Sequence, residues 1–272
     1  MKFVEVQGEK IPALGFGTYQ LKGKNCVEGV EKALETGYRH IDTAQRYGNE
    51  KQVGEGIERS DVDRDDIWLT TKVWKDNLNA ENLKESVEES LRKLGTDYVN
   101  LLLVHWPFPG MELEESLQEM SELVDEGKVR NIGVSNFNTE QMEEAREICD
   151  KPLLTNQVEY HPFLSQEAVL EKCRDEDMML TAYSPLARAD VIGNKTLEQI
   201  GEEHGKTEAQ VALRWLIQQE KVAAIPKATS EEHIRQNFDI FDFKLSEEEM
   251  KEINSLARGD RKIDPSFAPE WD

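Results

Sequence analysis

The chain has 272 residues, of which 55 are Asp or Glu and 33 are Lys or Arg, so its formal net charge at pH 7 is −22. Such acidity excludes proteins that bind nucleic acid or anionic membranes through charge, because both partners are polyanions. Hydrophobic residues make up 38% of the chain, which is enough to form a folded core. No linker-like segment divides the sequence, so we expect a single domain over residues 1–272.

The cellular compartment is predicted from three further observations. The sequence contains no segment typical of a signal peptide and no uncharged apolar run long enough to span a membrane. Its cysteines, Cys26, Cys149 and Cys173, are far apart and odd in number, so they form neither a disulfide framework nor a metal-binding spacing. Together these features predict a protein of the reducing cytoplasm.

Short apolar segments alternate with longer amphipathic segments along the chain. The short segments are bounded by turn residues and predict strands, whereas the longer ones carry apolar residues at helical spacing. The predicted strands are Ala13–Phe16, Tyr38–Ile41, Ile67–Val73, Tyr98–Val104, Val129–Val134, Leu153–Val158, Met178–Tyr183 and Lys221–Ile225. The predicted helices are Cys26–Glu35, Glu81–Leu94, Leu113–Val124, Thr139–Ile148, Gln166–Arg174, Thr207–Gln218 and Glu231–Phe238. Glycines that commonly end helices lie just past a helical pattern at Gly37, Gly95, Gly127 and Gly205.

Eight strands that alternate with helices predict an α/β fold of the (β/α)8 TIM-barrel class. A doubly wound sheet gives the same alternation and is the alternative. Its nucleotide-binding version would carry G-x-G-x-x-G after the first strand, and Gly15–Gln20 lacks the third glycine. The segment Met1–Pro12, with Gly8 at its centre, predicts an N-terminal β-hairpin that closes the floor of the barrel.

Four residues with chemically useful side chains lie at or after the ends of neighbouring predicted strands. Asp42 ends the second strand, Lys72 the third and His105 the fourth, and Tyr47 lies in the loop that follows Asp42. Because functional residues of such barrels lie at the carboxyl ends of the strands, we expect all four to share one rim.

Each of the four residues also has a purely structural explanation. Asp42 could cap a helix, Lys72 could extend from a strand end to water, His105 could be a hydrogen-bonded core histidine, and Tyr47 could be an ordinary aromatic residue of the rim. Together, however, they fit proton donation to a carbonyl group.

In that chemistry Tyr47 is the acid. A tyrosine hydroxyl titrates near ~10, and we expect the Lys72 ammonium to lower the pKa of Tyr47. Asp42 would keep Lys72 charged and in place, and His105 would donate to the carbonyl oxygen. The sequence has no Ser or Cys nucleophile motif and no metal-ligand cluster. The electrons must therefore come from a bound hydride donor, which implies a nicotinamide.

Seven longer motifs extend this interpretation over most of the chain. They are Gly37–Ala44 with Tyr47–Glu50, Leu69–Trp74, Leu101–Pro107, Ile132–Phe137, Asn156–Pro162, Ala182–Leu186 and Ile225–Lys227. In this order and at this spacing the sequence resembles the aldo-keto reductase family nearly end to end. The resemblance implies NAD(P)H-dependent reduction of aldehydes or ketones to alcohols, with hydride passing from the nicotinamide C4 to the carbonyl carbon. It also implies a catalytic tetrad of Asp42, Tyr47, Lys72 and His105, with Tyr47 as the proton donor.

The resemblance further implies which residues bind the cofactor and the substrate. Tyr183 would stack on the nicotinamide, Ser135, Asn136 and Gln157 would bond its carboxamide, and Ser184, Leu186 and Arg188 would lie along the pyrophosphate. The other implied cofactor contacts are Gly17, Thr18, Asp42, Lys227, Ala228, Thr229, His233, Gln236 and Asn237. The implied substrate pocket is lined by Tyr19, Trp74, His105 and Trp106. For Trp68 and Trp215 we expect packing roles only, and we expect no metal.

The adenosine end departs from the pattern of family members that prefer NADPH. Those members often have a serine at the position of Ala228 and an arginine at the position of His233. Lys227 remains as a charge for a 2′-phosphate, but His233 cannot reproduce a guanidinium, and Glu231 and Glu232 oppose an anion locally. Ser230 can still cap the helix. The sequence therefore predicts use of both NADPH and NADH.

Substrate and physiology are less defined by the sequence. Short loops predict an open pocket for a small aldehyde, dicarbonyl or keto acid, and we expect a monomer in which Trp271 is disordered rather than folded over the pocket. A cofactor-binding regulatory barrel with incidental catalysis, and a metal-dependent barrel hydrolase, are alternatives for which the sequence offers no specific feature.

The excess negative charge has a predicted location. Glutamates on the polar faces of predicted helices, such as Glu85, Glu88 and Glu89 or Glu247, Glu248 and Glu249, would form an acidic outer shell away from Lys227 and Arg188. Such a shell suits a high-salt cytoplasm, as in the acidic proteome of a halophile.

Overall fold

Eight parallel strands form the centre of the computed structural model, which describes residues 1–79 and 81–272. They are β3 Phe16–Gly17, β4 His40–Asp42, β5 Trp68–Val73, β6 Val99–Val104, β7 Val129–Ser135, β8 Leu153–Glu159, β9 Met179–Tyr183 and β10 Val222–Ala224. Each strand pairs with the next along the chain. Next to β3, Leu14 pairs with Ala224 of β10, and the amide of Gly15 donates to the carbonyl of Ala224 at 2.8 Å. The first and last strands are thereby joined, which confirms the predicted (β/α)8 barrel.

Helices surround these strands. They are α1 Gly23–Thr36, α2 Glu50–Arg59, α3 Leu83–Leu94, α4 Leu113–Asp125, α5 Thr139–Ile148, α6 Glu167–Asp175, α7 Lys195–His204, α8 Glu208–Gln218, α9 Glu231–Phe238 and α10 Glu247–Asn254. Every residue of β5 and of β8 is buried, as expected of a parallel sheet covered on both faces. Among the described residues, no helix is long and apolar enough to cross a membrane.

The N-terminal segment forms the predicted hairpin. Strands β1 Phe3–Val6 and β2 Glu9–Pro12 pair antiparallel, and Gln7 and Gly8 between them have φ of 49° and 83°. This left-handed pair is typical of a two-residue hairpin turn. The Gln7 side chain donates to the carbonyl of Leu153 at 2.9 Å, at the start of β8. The hairpin therefore lies against the amino ends of the strands, opposite the predicted site.

Helices α2, α7 and α10 lie outside the predicted helix ranges, and the reason is clear for α2. Gly54 and Gly56 lie inside it, and each glycine costs a helix about 1 kcal/mol relative to alanine. A Cβ at Gly54 would lie 2.5 Å from the carbonyl oxygen of Leu94, and one at Gly56 would lie 2.7 Å from that of Val27. Close packing against α3 and α1 thus requires the residues that weaken the local helical pattern.

Candidate active site

The four predicted tetrad residues come together at the carboxyl ends of neighbouring strands. Asp42 is the last residue of β4, Lys72 is the penultimate residue of β5, and His105 directly follows β6. Tyr47 ends a single 3₁₀ turn, Gln45–Tyr47, in the loop after β4. The Lys72 ammonium donates to Asp42 Oδ1 at 2.5 Å and to the Thr43 carbonyl at 2.8 Å, and it lies 3.4 Å from the Tyr47 hydroxyl.

The ion pair of Asp42 and Lys72 is shielded from water. The Lys72 side chain is 0% exposed and that of Asp42 is 2% exposed. Gln157 lies beside this pair, and its side-chain amide donates a hydrogen bond to Asp42 Oδ2 at 2.8 Å. Burial lowers the pKa of Lys72, and the Asp42 carboxylate opposes that shift. An ammonium with two short contacts to oxygen is thus held at a fixed place below Tyr47.

The expected net lowering of the pKa of Tyr47 is wrong for this structure, because burial outweighs the nearby Lys72 ammonium. Burial raises the pKa of Tyr47 well above its usual value, and the charge on Asp42 raises it further. Lys72 is closer to Asp42 than to the tyrosine oxygen, so most of its charge is offset by the carboxylate. The hydroxyl consequently keeps its proton at neutral pH.

His105 presents a neutral imidazole beside that hydroxyl. Its ring is edge-on to the ring of Tyr47, with the centroids 5.6 Å apart. Burial lowers the pKa of His105 well below its usual value, and the positive charges of Lys72 and Arg46 add to the effect. The buried Nδ1 has no hydrogen-bond partner among the described residues. Such an atom is unusual in a folded protein and is common at functional sites.

Asn49, which sequence reasoning missed, connects the loop after β3 with the loop after β4 that carries Tyr47 through side-chain hydrogen bonds. Its side-chain amide donates to the carbonyls of Thr18 at 2.9 Å and Leu21 at 3.1 Å, and its oxygen accepts from the Thr43 hydroxyl at 2.9 Å. Asn49 is fully buried. Since Thr43 also contacts Lys72 through its carbonyl, one asparagine links the loop after β3 to the tetrad.

The residues predicted to bind the nicotinamide form a network of their own. The Ser135 hydroxyl donates to the Gln157 carbonyl at 2.7 Å, and the Asn136 amide donates to the His105 carbonyl at 3.0 Å. The Tyr183 hydroxyl donates to Asn136 Oδ1 at 2.7 Å. Tyr183 is half-buried, whereas the other three residues are buried. The network fixes the Tyr183 ring at the rim, next to the tetrad.

Two other groups of predicted cofactor residues lie at the carboxyl ends of β9 and β10. After β9, Ser184, Ala187, Arg188 and Ala189 all have positive φ, from 47° to 79°, a strained run for residues other than glycine. Gly17 ends β3 and pairs with Asp42, Thr18 follows it, and the Gly17 amide donates to the Pro226 carbonyl at 3.0 Å. Lys227 and Thr229 are therefore near the same rim, and both are exposed, whereas Ala228 is buried.

Helix α9 carries the remaining predicted contacts. The Ser230 hydroxyl accepts from the amide of His233 at 3.2 Å, so this serine caps the helix as predicted. His233 is exposed, Gln236 is half-buried and Asn237 is buried. Arg235 donates to Glu231 at 2.9 Å, and is thereby engaged within the helix.

Aromatic side chains surround the space above the tetrad. Tyr19, 47% exposed, lies 5.1 Å from Tyr47 between ring centroids, and Trp74 lies 5.3 Å from His105. Trp106 is buried. Phe267 of the C-terminal segment packs edge-on against both Trp74 and Trp106, at 6.4 and 5.8 Å. Sequence reasoning missed Phe267 because nothing local indicates where a non-helical tail will lie.

The prediction that Trp271 is disordered is wrong. Its indole lies 6.1 Å from the ring of Trp106, beneath the guanidinium of Arg261 at 3.7 Å, and donates to Asp264 at 3.0 Å. Trp271 therefore covers the outer side of the aromatic wall. The cation–π contact with Arg261 and the hydrogen bond to Asp264 hold Trp271 in place, although it lies next to the C-terminus.

A buried carboxylate anchors this tail. Glu159, the last residue of β8, is fully buried and accepts from the backbone amides of Lys262 at 2.7 Å and Ile263 at 2.9 Å. His161 lies 3.0 Å from the same carboxylate. At the far end of the tail, Asp272 accepts from the Thr139 hydroxyl at 2.6 Å. Both ends of the segment that carries Phe267 are thus fixed to the barrel.

Comparison with known proteins decides the family. The model of the aldo/keto reductase family matches residues 13–258. The chain belongs to the aldo/keto reductase family. It is accordingly an oxidoreductase that acts on carbonyl groups, and the family works with a nicotinamide cofactor.

Several individual aldo-keto reductases are similar over nearly their whole length. The glyoxal reductase of Bacillus subtilis is 39% identical over 93% of this chain and 92% of its own length. The methylglyoxal reductase DkgB of Escherichia coli O157:H7 is 40% identical over 96% and 99%. Among solved structures, a proposed 2,5-diketo-D-gluconic acid reductase B is 50% identical, with a TM-score of 0.98, and covers 100% of this chain and 98% of its own.

Proposed function

We propose that this reductase converts small aldehydes and ketones to alcohols at the Asp42–Tyr47–Lys72–His105 site, with Tyr47 as the proton donor. The observation that carries the proposal is geometric: the Tyr47 hydroxyl lies 3.4 Å from the ammonium nitrogen of the buried Lys72, and the Tyr47 ring is edge-on to that of His105. Burial raises the pKa of Tyr47 and lowers that of His105, which favours a protonated hydroxyl and a neutral imidazole. A proton donor, a fixed cation and a neutral hydrogen-bond donor around one space are the groups needed where negative charge develops on a carbonyl oxygen.

Each tetrad residue has a separate part in this proposal. His105 positions the carbonyl oxygen by donating to it. Tyr47 gives its proton to that oxygen and becomes a tyrosinate. Lys72 stabilises the tyrosinate, because its ammonium then lies between two anions, the Asp42 carboxylate and the Tyr47 oxygen. Asp42 holds Lys72 at the correct place through the 2.5 Å contact. The high pKa of Tyr47 before substrate binds keeps its hydroxyl protonated. The proton is therefore present when negative charge develops on the carbonyl oxygen of the substrate.

The residues present fit a nicotinamide dinucleotide. The left-handed run at Ser184 and Ala187–Ala189 is backbone strain of the kind that clusters at ligand clamps, and Arg188 and Lys227 are exposed cations near it. Tyr183 offers an aromatic face held by Asn136. When bound, the cofactor supplies the hydride. Ser135 and Gln157 already bond to protein groups, and Gln157 supports Asp42 in addition to any contact with the carboxamide.

We propose that the enzyme uses both NADPH and NADH. Ala228 offers no hydroxyl, His233 lacks a permanent charge, and Arg235 is held by Glu231, which leaves Lys227 as the principal cation for a 2′-phosphate. We expect kcat/KM for NADPH to exceed that for NADH by less than about 10³-fold, or roughly 4 kcal/mol. The test is the rate of loss of nicotinamide absorbance with each cofactor, on a panel that includes glyoxal, methylglyoxal and a keto acid. A larger preference for NADPH would contradict dual use, and no turnover of any compound would contradict the function itself.

The substrate and setting of the enzyme are proposals as well. The relatives named for glyoxal and methylglyoxal favour a small aldehyde, dicarbonyl or keto acid. We further propose one domain over residues 1–272, a monomer, and a cytoplasmic location.

We also propose that the acidic surface is an adaptation to salt. Glu85 of α3 and Glu247 and Glu248 of α10 are exposed on the outer helices, whereas Glu89 of α3 lines a cleft beside Arg46 and Trp74. Because salt screens repulsion among like charges, the melting temperature should rise from dilute buffer to molar KCl, as measured by circular dichroism. A melting temperature that falls or stays constant would contradict a halophilic origin of the charge.

A further inference from the structure

An arginine beside the candidate site has no role in the chemistry described so far. Arg46 immediately precedes Tyr47 in the Gln45–Tyr47 turn, and its side chain is exposed. Its guanidinium carbon lies 5.3 Å from the centre of the Trp74 ring, and the same ring lies 5.3 Å from that of His105. One aromatic ring therefore separates a guanidinium from the imidazole at the reacting centre.

The guanidinium of Arg46 is not held by a carboxylate in the described part of the chain. Within the described residues it forms no ion pair and donates no hydrogen bond. The acidic side chains that line the cleft beside it are Asp76 and Glu89, and Glu89 is paired with Lys93 at 2.7 Å. A guanidinium without an ion-pair partner is free to bind an anionic ligand, even in a chain with 55 acidic residues and 33 basic ones.

Other positive charges reinforce Arg46. Lys75 lies over the Phe267 ring at 5.0 Å, on the same aromatic wall, and the Lys22 ammonium contacts the Tyr47 carbonyl. The charge of Arg46 reaches the reacting centre, since it contributes to the low pKa of His105 after burial and Lys72. The mouth of the site is thus locally cationic, although the chain as a whole is strongly anionic.

We propose that Arg46 is a specificity-determining residue that binds a carboxylate on the substrate, so that the preferred substrates are carbonyl compounds carrying a negative charge several bonds from the carbonyl. The carbonyl lies between Tyr47 and His105, and the carboxylate extends past the edge of Trp74 to the planar, forked donor of Arg46. A guanidinium matches a carboxylate in both charge and geometry. Trp74 holds the arginine in place by a cation–π contact and excludes water from one side of the pair. This inference rests on the proposed reductase function.

The test compares two rigid aldehydes that differ only in charge, 4-carboxybenzaldehyde and methyl 4-formylbenzoate. Wild-type enzyme should have the higher kcat/KM for the acid. In Arg46→Met, which keeps the length but removes the charge, kcat/KM for the acid should fall by about tenfold or more, mainly through KM, because a hydrogen bond to a charged group is lost. The ester should change by less than about threefold. Arg46→Lys should lie between the two, because it keeps the charge without the fork.

Two further measurements distinguish the specificity from the function. Arg59→Met, at the end of α2, removes a positive charge remote from the mouth and should leave the preference for the acid unchanged. Binding of 4-(hydroxymethyl)benzoate, which cannot be reduced, is measured by calorimetry and should weaken about tenfold in Arg46→Met. Equal binding to both proteins, or an equal loss of activity on acid and ester, would overturn the role of Arg46. Tight, Arg46-dependent binding without turnover of either aldehyde would instead refute the proposed reductase function.

Discussion

Replacing Lys72 with methionine should lower the free energy of unfolding by about 3–5 kcal/mol, because the Asp42 carboxylate would stay buried without its counter-ion. Lys72 is completely buried, and its ammonium provides Asp42 with the 2.5 Å contact, while Gln157 provides only a neutral amide. Activity should fall at the same time, since the tyrosinate formed from Tyr47 would lose the nearby positive charge. Urea denaturation followed by circular dichroism measures the first effect, and steady-state kinetics in dilute urea-free buffer measures the second.

The matched control for this variant is Lys93→Met. Lys93 and Glu89 form an exposed ion pair on α3, with side chains 46% and 53% exposed, and the loss of such a pair costs at most about 1 kcal/mol. The double variant Lys72→Met/Asp42→Asn removes both buried charges and should recover part of the stability lost in Lys72→Met. If the single Lys72 variant is as stable as the Lys93 variant, the buried ion pair does not stabilise the fold more than an exposed one does.

Replacing Tyr47 with phenylalanine should lower kcat by about 10²–10⁴-fold, the usual contribution of a general acid. The substitution removes one oxygen, whose nearest described donor is Lys72 at 3.4 Å, and leaves the ring contacts with Tyr19 and His105 in place. Stability should therefore change little, and cofactor affinity should be retained. The measurements are single-turnover kinetics, thermal unfolding and quenching of tryptophan fluorescence by NADPH.

Tyr98→Phe provides the control for loss of a tyrosine hydroxyl elsewhere. Tyr98 is outside the site, and its hydroxyl donates to Asp65 at 2.8 Å. This variant should keep wild-type kcat. Full activity of Tyr47→Phe would show that another group supplies the proton. Loss of folding in Tyr47→Phe would show that the hydroxyl is structural, which the contacts do not predict.

Much of the fold was predictable because its determinants are local. The buried strands are short apolar runs, and the helix that ends at Gly37 or Gly95 ends where a left-handed residue is required. The tetrad was predictable for the same reason, since Asp42, Lys72 and His105 each lie at the end of such a run. In a barrel, residues at the carboxyl ends of neighbouring strands lie together on one rim, so their positions in the sequence predict their proximity in space.

The features that were missed depend on contacts between distant segments. Gly54 and Gly56 weaken the helical pattern of α2 in the sequence, and the close packing of α2 against α3 and α1 explains why glycines are required there. The tail that carries Phe267 and Trp271 has no periodicity, and its path is set by Glu159, more than 100 residues earlier, through contacts at 2.7 and 2.9 Å. The pKa of Tyr47 departs from the sequence-based expectation because burial and the Asp42 carboxylate raise it despite the proximity of Lys72.

The most direct test of the central claim is the transfer of label from cofactor to product. Methylglyoxal is incubated with the enzyme and NADPH that carries deuterium at both C4 positions, and the product is examined by mass spectrometry. We expect an alcohol with one deuterium on the former carbonyl carbon, formed by the wild-type enzyme and formed far more slowly by Tyr47→Phe. An unlabelled alcohol, or equal rates for the two proteins, would contradict hydride transfer to a carbonyl that is protonated by Tyr47.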